Sequence, residues 1–163
     1  NPIHEGTEGI HGLDLMGRKL SQRGGKGYRL FLAAARASIA EAGTSKQCAG
    51  MAAALNDAVG ILDQVSSDLL QQVAADVDLG LANATAYLDL FGRVVVGWIW
   101  LRQALVAERA LEAGAADSEA DFYQGKLHAA RYFMDWELAG LASQAQLLRA
   151  GNRLTYDMQD AWF

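Results

Sequence analysis

Cysteine and proline are nearly absent from this 163-residue chain. The one cysteine, Cys48, excludes an internal disulfide and a thiolate metal cluster. Its ordinary reading is a small buried apolar residue. The one proline, Pro2, leaves no helix breaker in the interior. Histidine is scarce as well: His4, His11 and His128 form no His-Glu-x-x-His pattern and no facing Glu-x-x-His pairs. No metal site is therefore expected, and His128 reads as a half-buried polar position on a helix. Basic residues are outnumbered, 14 Lys and Arg against 19 Asp and Glu, for a net charge of -5. Without a Lys/Arg face this argues against nucleic acid as a partner. Long hydrophobic runs are missing too. Val94 to Leu101 stops at Arg102, well short of the roughly 20 residues a membrane span needs. There is no secretory signal, and the expectation is a cytoplasmic protein. The chain opens at Asn1 rather than Met, which raises the expectation of a piece of a longer protein.

What the chain has is alanine and helical periodicity. A hydrophobic content of 52% with 20% charged residues fits a folded globular chain. No Val/Ile/Thr alternation bounded by turns suggests a strand. The expected fold is all-α: an antiparallel up-and-down bundle of four main helices, residues 26–163, preceded by a short helical arm, residues 1–25. In the arm, Ile10, Leu13, Met16 and Leu20 recur at helical spacing, and Arg23-Gly24-Gly25 is a stop signal. The second helix, 26–42, carries Tyr28, Leu32, Ala35 and Ile39. The third, 46–75, carries Met51, Leu55, Ala58, Leu62, Val65, Leu69 and Val73, with Thr44 or Ser45 as its cap. Asp76-Val77-Asp78 is a turn or a kink. The fourth runs to about 113 with Tyr87, Phe91, Val94, Trp98, Leu101 and Leu105, and its apolar surface spreads beyond one stripe. Asp117 or Ser118 caps a fifth that reaches about 150, with Tyr123, Leu127, Ala130, Met134, Leu138, Leu141, Ala145 and Leu148 as its seam. Trp98, Trp100, Trp136, Phe91, Phe122, Tyr123, Tyr132 and Phe133 read as core, and the terminal Trp162-Phe163 pair as docked on the bundle.

Chemistry concentrates at the start, in His4-Glu5-Gly6-Thr7-Glu8-Gly9-Ile10. Thr7 is placed to cap a helix whose first turn gains from Glu8. A carboxylate such as Glu5 removes a proton from carbon only where the substrate acidifies that proton and the site holds the base within reach. Gly6 would let a substrate pass close to the backbone, and the first-turn amides would suit an anionic group. From spacing alone, a solvated glutamate in a frayed terminus is the better reading of Glu5.

This run resembles the Tyr-Glu-Gly-Thr-x-x-Ile segment of flavin-dependent acyl-CoA dehydrogenases. Its continuation, Gly12-Leu13-Asp14-Leu15-Met16-Gly17-Arg18-Lys19, is similar to the branch with an extra helical domain after the catalytic glutamate, which includes 3-methylmercaptopropionyl-CoA dehydrogenases. Ala86-Tyr87-Leu88-Asp89-Leu90-Phe91-Gly92, Gly97-Trp98-Ile99-Trp100 and Phe122-Tyr123-Gln124-Gly125-Lys126-Leu127 resemble that appended domain. The resemblance implies that Glu5 is the base taking the α-proton of an acyl-CoA, that Gly6 lies against the substrate, and that Thr7, Glu8 and Gly9 help hold FAD. His4 stands where the family usually has Tyr. It further implies an electron-transfer flavoprotein-type acceptor and a homo-oligomer. Because the flavin pocket and CoA groove of that family come mostly from preceding domains, this chain by itself is expected to be inactive, its first helix lacking its true partners. A non-catalytic assembly module is the competing reading, and the tail of a DNA-binding flavoprotein a more distant one.

Overall fold

The computed structural model describes residues 6–162; Asn1–Glu5 and Phe163 lie outside the described residues. All regular structure among the described residues is helical. In chain order the α-helices are α1 Glu8–Asp14, α2 Gln22–Ala42, α3 Ala49–Ala75, α4 Val77–Leu81, α5 Ala84–Glu112, α6 Asp117–Tyr132 and α7 Leu141–Arg149. π turns occupy Leu15–Lys19 and Phe133–Glu137, and Asp160–Trp162 forms one 3-10 turn. The expected all-α bundle is what forms.

The stops fall where backbone chemistry requires them. Arg23, Gly24 and Gly25 are left-handed, with φ of 52°, 63° and 77°, and Gly114 and Gly151 follow α5 and α7 at φ 82° and 59°. Asp76 settles the question of turn or kink. It is extended, at φ -152° and ψ 109°, and its side chain accepts from the Leu79 amide, so α3 and α4 are separate helices. Ser45 caps as expected: its Oγ accepts from the amides of Gln47 at 3.2 Å and Cys48 at 2.8 Å.

Other expectations are corrected. Thr7 makes no side-chain cap, because its backbone is already helical and the side chain cannot swing over the first amides; its carbonyl accepts from His11 N instead. Ala116, not Asp117 or Ser118, precedes α6, and Asp117 sits inside the first turn where its charge suits the dipole. The fifth helix is broken at Leu138–Gly140, after the π turn in which Leu138 N donates to Phe133 O at 3.2 Å.

The chain forms two compact units. The first is drawn from Asn1–Leu30, Ile61–Phe91 and Ala142–Phe163. Its core holds Met16, Leu20, Leu62, Val65, Leu69, Tyr87, Leu90 and Leu148. The second is drawn from Phe31–Gly60 and Gly92–Leu141, around Leu32, Ala35, Met51, Leu55, Val94, Leu101, Leu127, Ala130, Met134 and Leu138. In this unit α5 runs antiparallel to α3 and α6 and parallel to α2, whose Phe31, Ser38 and Glu41 meet Trp98 and Arg109 in ascending order. Leu55 and Leu138 both reach Gly97, while Ser45 of the α2–α3 turn meets Glu108 and Lys126 covers Trp100. Cys48 is fully buried, and burial pushes its thiol up. By length and composition α5 is apolar enough to cross a membrane. Here Tyr87, Leu90, Val94, Leu101, Ala104 and Leu105 are packed, as in the central helix of a bundle.

Candidate functional site

The described part of the glutamate run, from Gly6, lies in the first unit. Glu5, the expected base, falls outside the described residues. Gly6 is left-handed at φ 88°, a conformation that suits glycine. Thr7, Glu8 and Gly9 follow as the start of α1, and all four residues Gly6 to Gly9 are exposed. Nothing stands within 4 Å of where a Cβ would sit on Gly6 or Gly9, so the backbone is open to a bound group. That openness leaves room for a bound group beside Gly6 and Gly9. An exposed run offers only one wall, and a second surface would have to complete the enclosure.

What fixes this wall is packing further along. Gly12 is buried against the backbone of Ala84, and Gly17 touches Leu81. Met16 and Leu20 turn inward and are 1% and 2% exposed. The helix therefore packs on other parts of this chain through Gly12, Met16, Gly17 and Leu20. The absent Cβ of Gly12 is what permits the approach. Ile10 and Leu13, read as part of the buried stripe, are instead 66% and 47% exposed. The π turn, closed by Leu20 N on Leu15 O at 2.9 Å, takes the helical register away from them. Asp14 accepts from Arg18 at 2.5 Å and pairs with Lys19 at 3.1 Å; these contacts hold its carboxyl down to about 2.

Two buried polar arrangements support the units. In the first, Ser66 Oγ donates to Leu62 O at 2.7 Å and accepts from the Tyr87 hydroxyl at 2.7 Å, and Tyr28 OH donates to Asp63 at 3.2 Å. Burial pushes both phenols well above their usual range. In the second, Glu108 is 5% exposed and accepts from Ser45 Oγ and from the Gln47 amide at 3.0 Å. Burial raises its pKa, but the hydrogen bonds from Ser45 and Gln47 outweigh that and hold the carboxyl below the usual range. Glu108 was invisible to sequence reasoning, because its partners stand 61 and 63 positions away.

The aromatic residues divide. Tyr87 is fully buried, while Phe122, Tyr132 and Trp136 are 59%, 54% and 71% exposed. They occupy the side of α6 and its π turn away from Leu127, Ala130 and Met134. Tyr132 stacks on Trp136 at 5.9 Å, and Lys126 lies over both Trp100 and Phe122. Together with Ile99 and Val106, Phe122 lines a surface groove of about 500 Å³. His128 is exposed, not half-buried, and Trp162 is 62% exposed, so the docked terminal pair does not form at Trp162.

Residues 31–159 match the family described as acetyl-CoA dehydrogenase C-terminal like. The chain belongs to this family. It is similar to the broad-specificity linear acyl-CoA dehydrogenase FadE5 of Mycobacterium tuberculosis, 30% identical over 99% of this chain and 27% of the relative. It is likewise similar to 3-methylmercaptopropionyl-CoA dehydrogenase of Ruegeria pomeroyi, 32% identical over 81% of this chain and 22% of the relative. Butyryl-CoA dehydrogenase of Syntrophomonas wolfei is 26% identical over 99% of this chain and 26% of its own length. The chain thus spans about a quarter of the length of these relatives. The family match begins after the glutamate run, whereas a match over 99% of the chain takes the run in.

Proposed function

We propose that this chain is the helical C-terminal part of an FAD-dependent acyl-CoA dehydrogenase and carries that enzyme's catalytic base. The carrying observation is the open run Gly6 to Gly9 at the head of a docked helix, in a chain similar along nearly all its length to acyl-CoA dehydrogenases. The boundary between a catalytic arm, residues 1–25, and an appended bundle, 26–163, belongs to the same proposal.

In this reading the Glu5 carboxylate takes the α-proton of the acyl thioester, and the β-hydrogen leaves as hydride. Bound FAD supplies the hydride acceptor. Gly6 lets the thioester pass close to the backbone, and donors at the thioester carbonyl, contributed from outside this chain, stabilise the developing enolate. Thr7, Glu8 and Gly9 line the FAD side. His4 in place of Tyr alters the polarity beside the base. An electron-transfer flavoprotein-type acceptor, a homo-oligomeric state and a cytoplasmic setting complete the proposal.

The test uses the enzyme in which this chain follows its flavin-binding region. Glu5→Gln should retain the flavin absorbance and lose bleaching by acyl-CoA, by a factor of about 10⁴ at most. Unchanged bleaching would remove Glu5 from the mechanism. The 163-residue chain alone is expected neither to retain FAD nor to reduce an acceptor with acyl-CoA; either activity would overturn the reading of it as an incomplete site.

One observation favours a concurrent assembly role. Ile99, Val106, Phe122, Tyr132 and Trp136 expose apolar surface in one unit, and surfaces of this kind mark protein contacts. Light scattering at high concentration tests it, a strict monomer counting against assembly. The net charge of -5 disfavours the DNA-binding alternative.

A further inference from the structure

We infer that the connector between α3 and α5, residues 76–84, is the seat that positions Gly6 to Gly9, with Gly12, Gly80 and Leu81 as positioning residues. This rests on the reading of Glu5 as the base.

The connector is fixed to its own unit by features that leave little freedom. Asp76 Oδ1 accepts from Leu79 N at 3.1 Å, and Gly80 N donates to Asp76 O at 2.9 Å. Gly80 is buried so closely against α3 that a Cβ would lie 2.6 Å from the backbone of Val73. Real Cβ contacts do not come so near, so any side chain at position 80 lifts α4 off α3. Ala82 N donates to Leu79 O at 3.2 Å, and α5 begins at Ala84.

The helix behind the glutamate run sits on this connector. A Cβ on Gly12 would meet Ala84 O at 2.7 Å and its carbonyl carbon at 2.8 Å. Leu81 touches the exposed Gly17, with both methyl groups at 3.6 Å from the corresponding point. Met16, between these two contacts, is buried. Carbon atoms settle at about 3.5 to 4 Å, so a side chain at position 12 moves α1 by about 1 Å. Gly6 to Gly9 lead directly into that seven-residue helix, so the displacement carries to them. A misplacement of that size at a catalytic group costs about 100-fold in rate. The bundle thereby acts on the reaction through the position of Gly6 to Gly9, the described residues of the run.

Two measurements test this, with Leu55→Ala, a fully buried leucine of the other unit, as a control of greater core loss. In the 163-residue chain, Gly12→Val and Leu81→Ala should raise amide exchange across residues 7–14 at least about tenfold, and Leu55→Ala should leave those amides unchanged. In the FAD-loaded enzyme carrying this chain, Leu81→Ala should lower kcat by about 100-fold with KM within about threefold, and Leu81→Met should restore it. Exchange and kcat for Leu81→Ala that match the Leu55→Ala control would overturn the seat. Full activity in Glu5→Gln would instead overturn the reading of the base, a separate failure. If Gly12→Val does not fold, Leu81→Ala carries the test.

Discussion

The two units bury polar groups in opposite ways. One places a neutral chain in its interior, Tyr87 on Ser66 on the Leu62 carbonyl. The other places an ionised carboxylate there, Glu108 beneath Ser45 and the Gln47 amide. Both satisfy the rule that a buried polar atom needs a partner, but they respond differently to pH. A hydroxyl pair holds no charge across the acid and neutral range. A carboxylate held by donors favours folding only while it is ionised.

Four experiments would sharpen or break that contrast. The apolar cores should be matched, so Leu69→Ala in one unit and Leu55→Ala in the other should each cost about 3 kcal/mol in denaturant unfolding. A gap of more than about 2 kcal/mol between them would show that the units differ in packing and not only in polarity. Glu108→Gln should cost about 2 kcal/mol at neutral pH, since hydrogen bonds to a charged group are lost and Ser45 and Gln47 keep weaker ones. The pH dependence has a definite sign. The folded-state pKa of Glu108 is depressed. Its contribution is therefore complete above the ordinary glutamate value and disappears as pH falls below that value through the depressed one. Thermal melts below about pH 4.5 should show this loss in the wild type and a blunted loss in Glu108→Gln. The smallest effect belongs to the neutral chain. Tyr87→Phe should cost about 1 kcal/mol and leave the acid limb of the stability profile unchanged, because Ser66 keeps its bond to Leu62 O. An altered acid limb in that variant would break the contrast between the two units.

Much of this fold is legible in periodicity. The seam of α3 is buried from Met51 to Leu69, and Asn56, Asp57, Ser67 and Gln71 of its opposite face are exposed. A strongly one-sided helix announces which side is which. The last helix deceives for a related reason: Leu127, Ala130, Met134, Leu138, Leu141, Ala145 and Leu148 are all buried, and their spacing runs on through the break. A π turn adds a residue without disturbing a pattern of threes and fours, so no gap in the seam marks it. Phe122, Tyr132 and Trp136 misled because aromatic residues at helical spacing define a stripe without saying whether it faces core or solvent. The glutamate run was legible as a motif from its resemblance. Its docking on Ala84 was not, since nothing local distinguishes Gly12 from any other helical glycine.

The left-handed run at Arg23-Gly24-Gly25 has a consequence for chirality. Three consecutive residues at φ 52°, 63° and 77° amount to a short mirror-image turn inserted in a right-handed chain. An L-residue pays about 1 to 2 kcal/mol to enter that region, and Arg23 already does. A D-residue prefers it. Semisynthesis with D-alanine at position 24 should raise stability by about 0.5 kcal/mol through loss of freedom in the unfolded chain, and L-alanine at the same position should lower it. The handedness of one residue then decides whether α2 begins on its own terms or under strain.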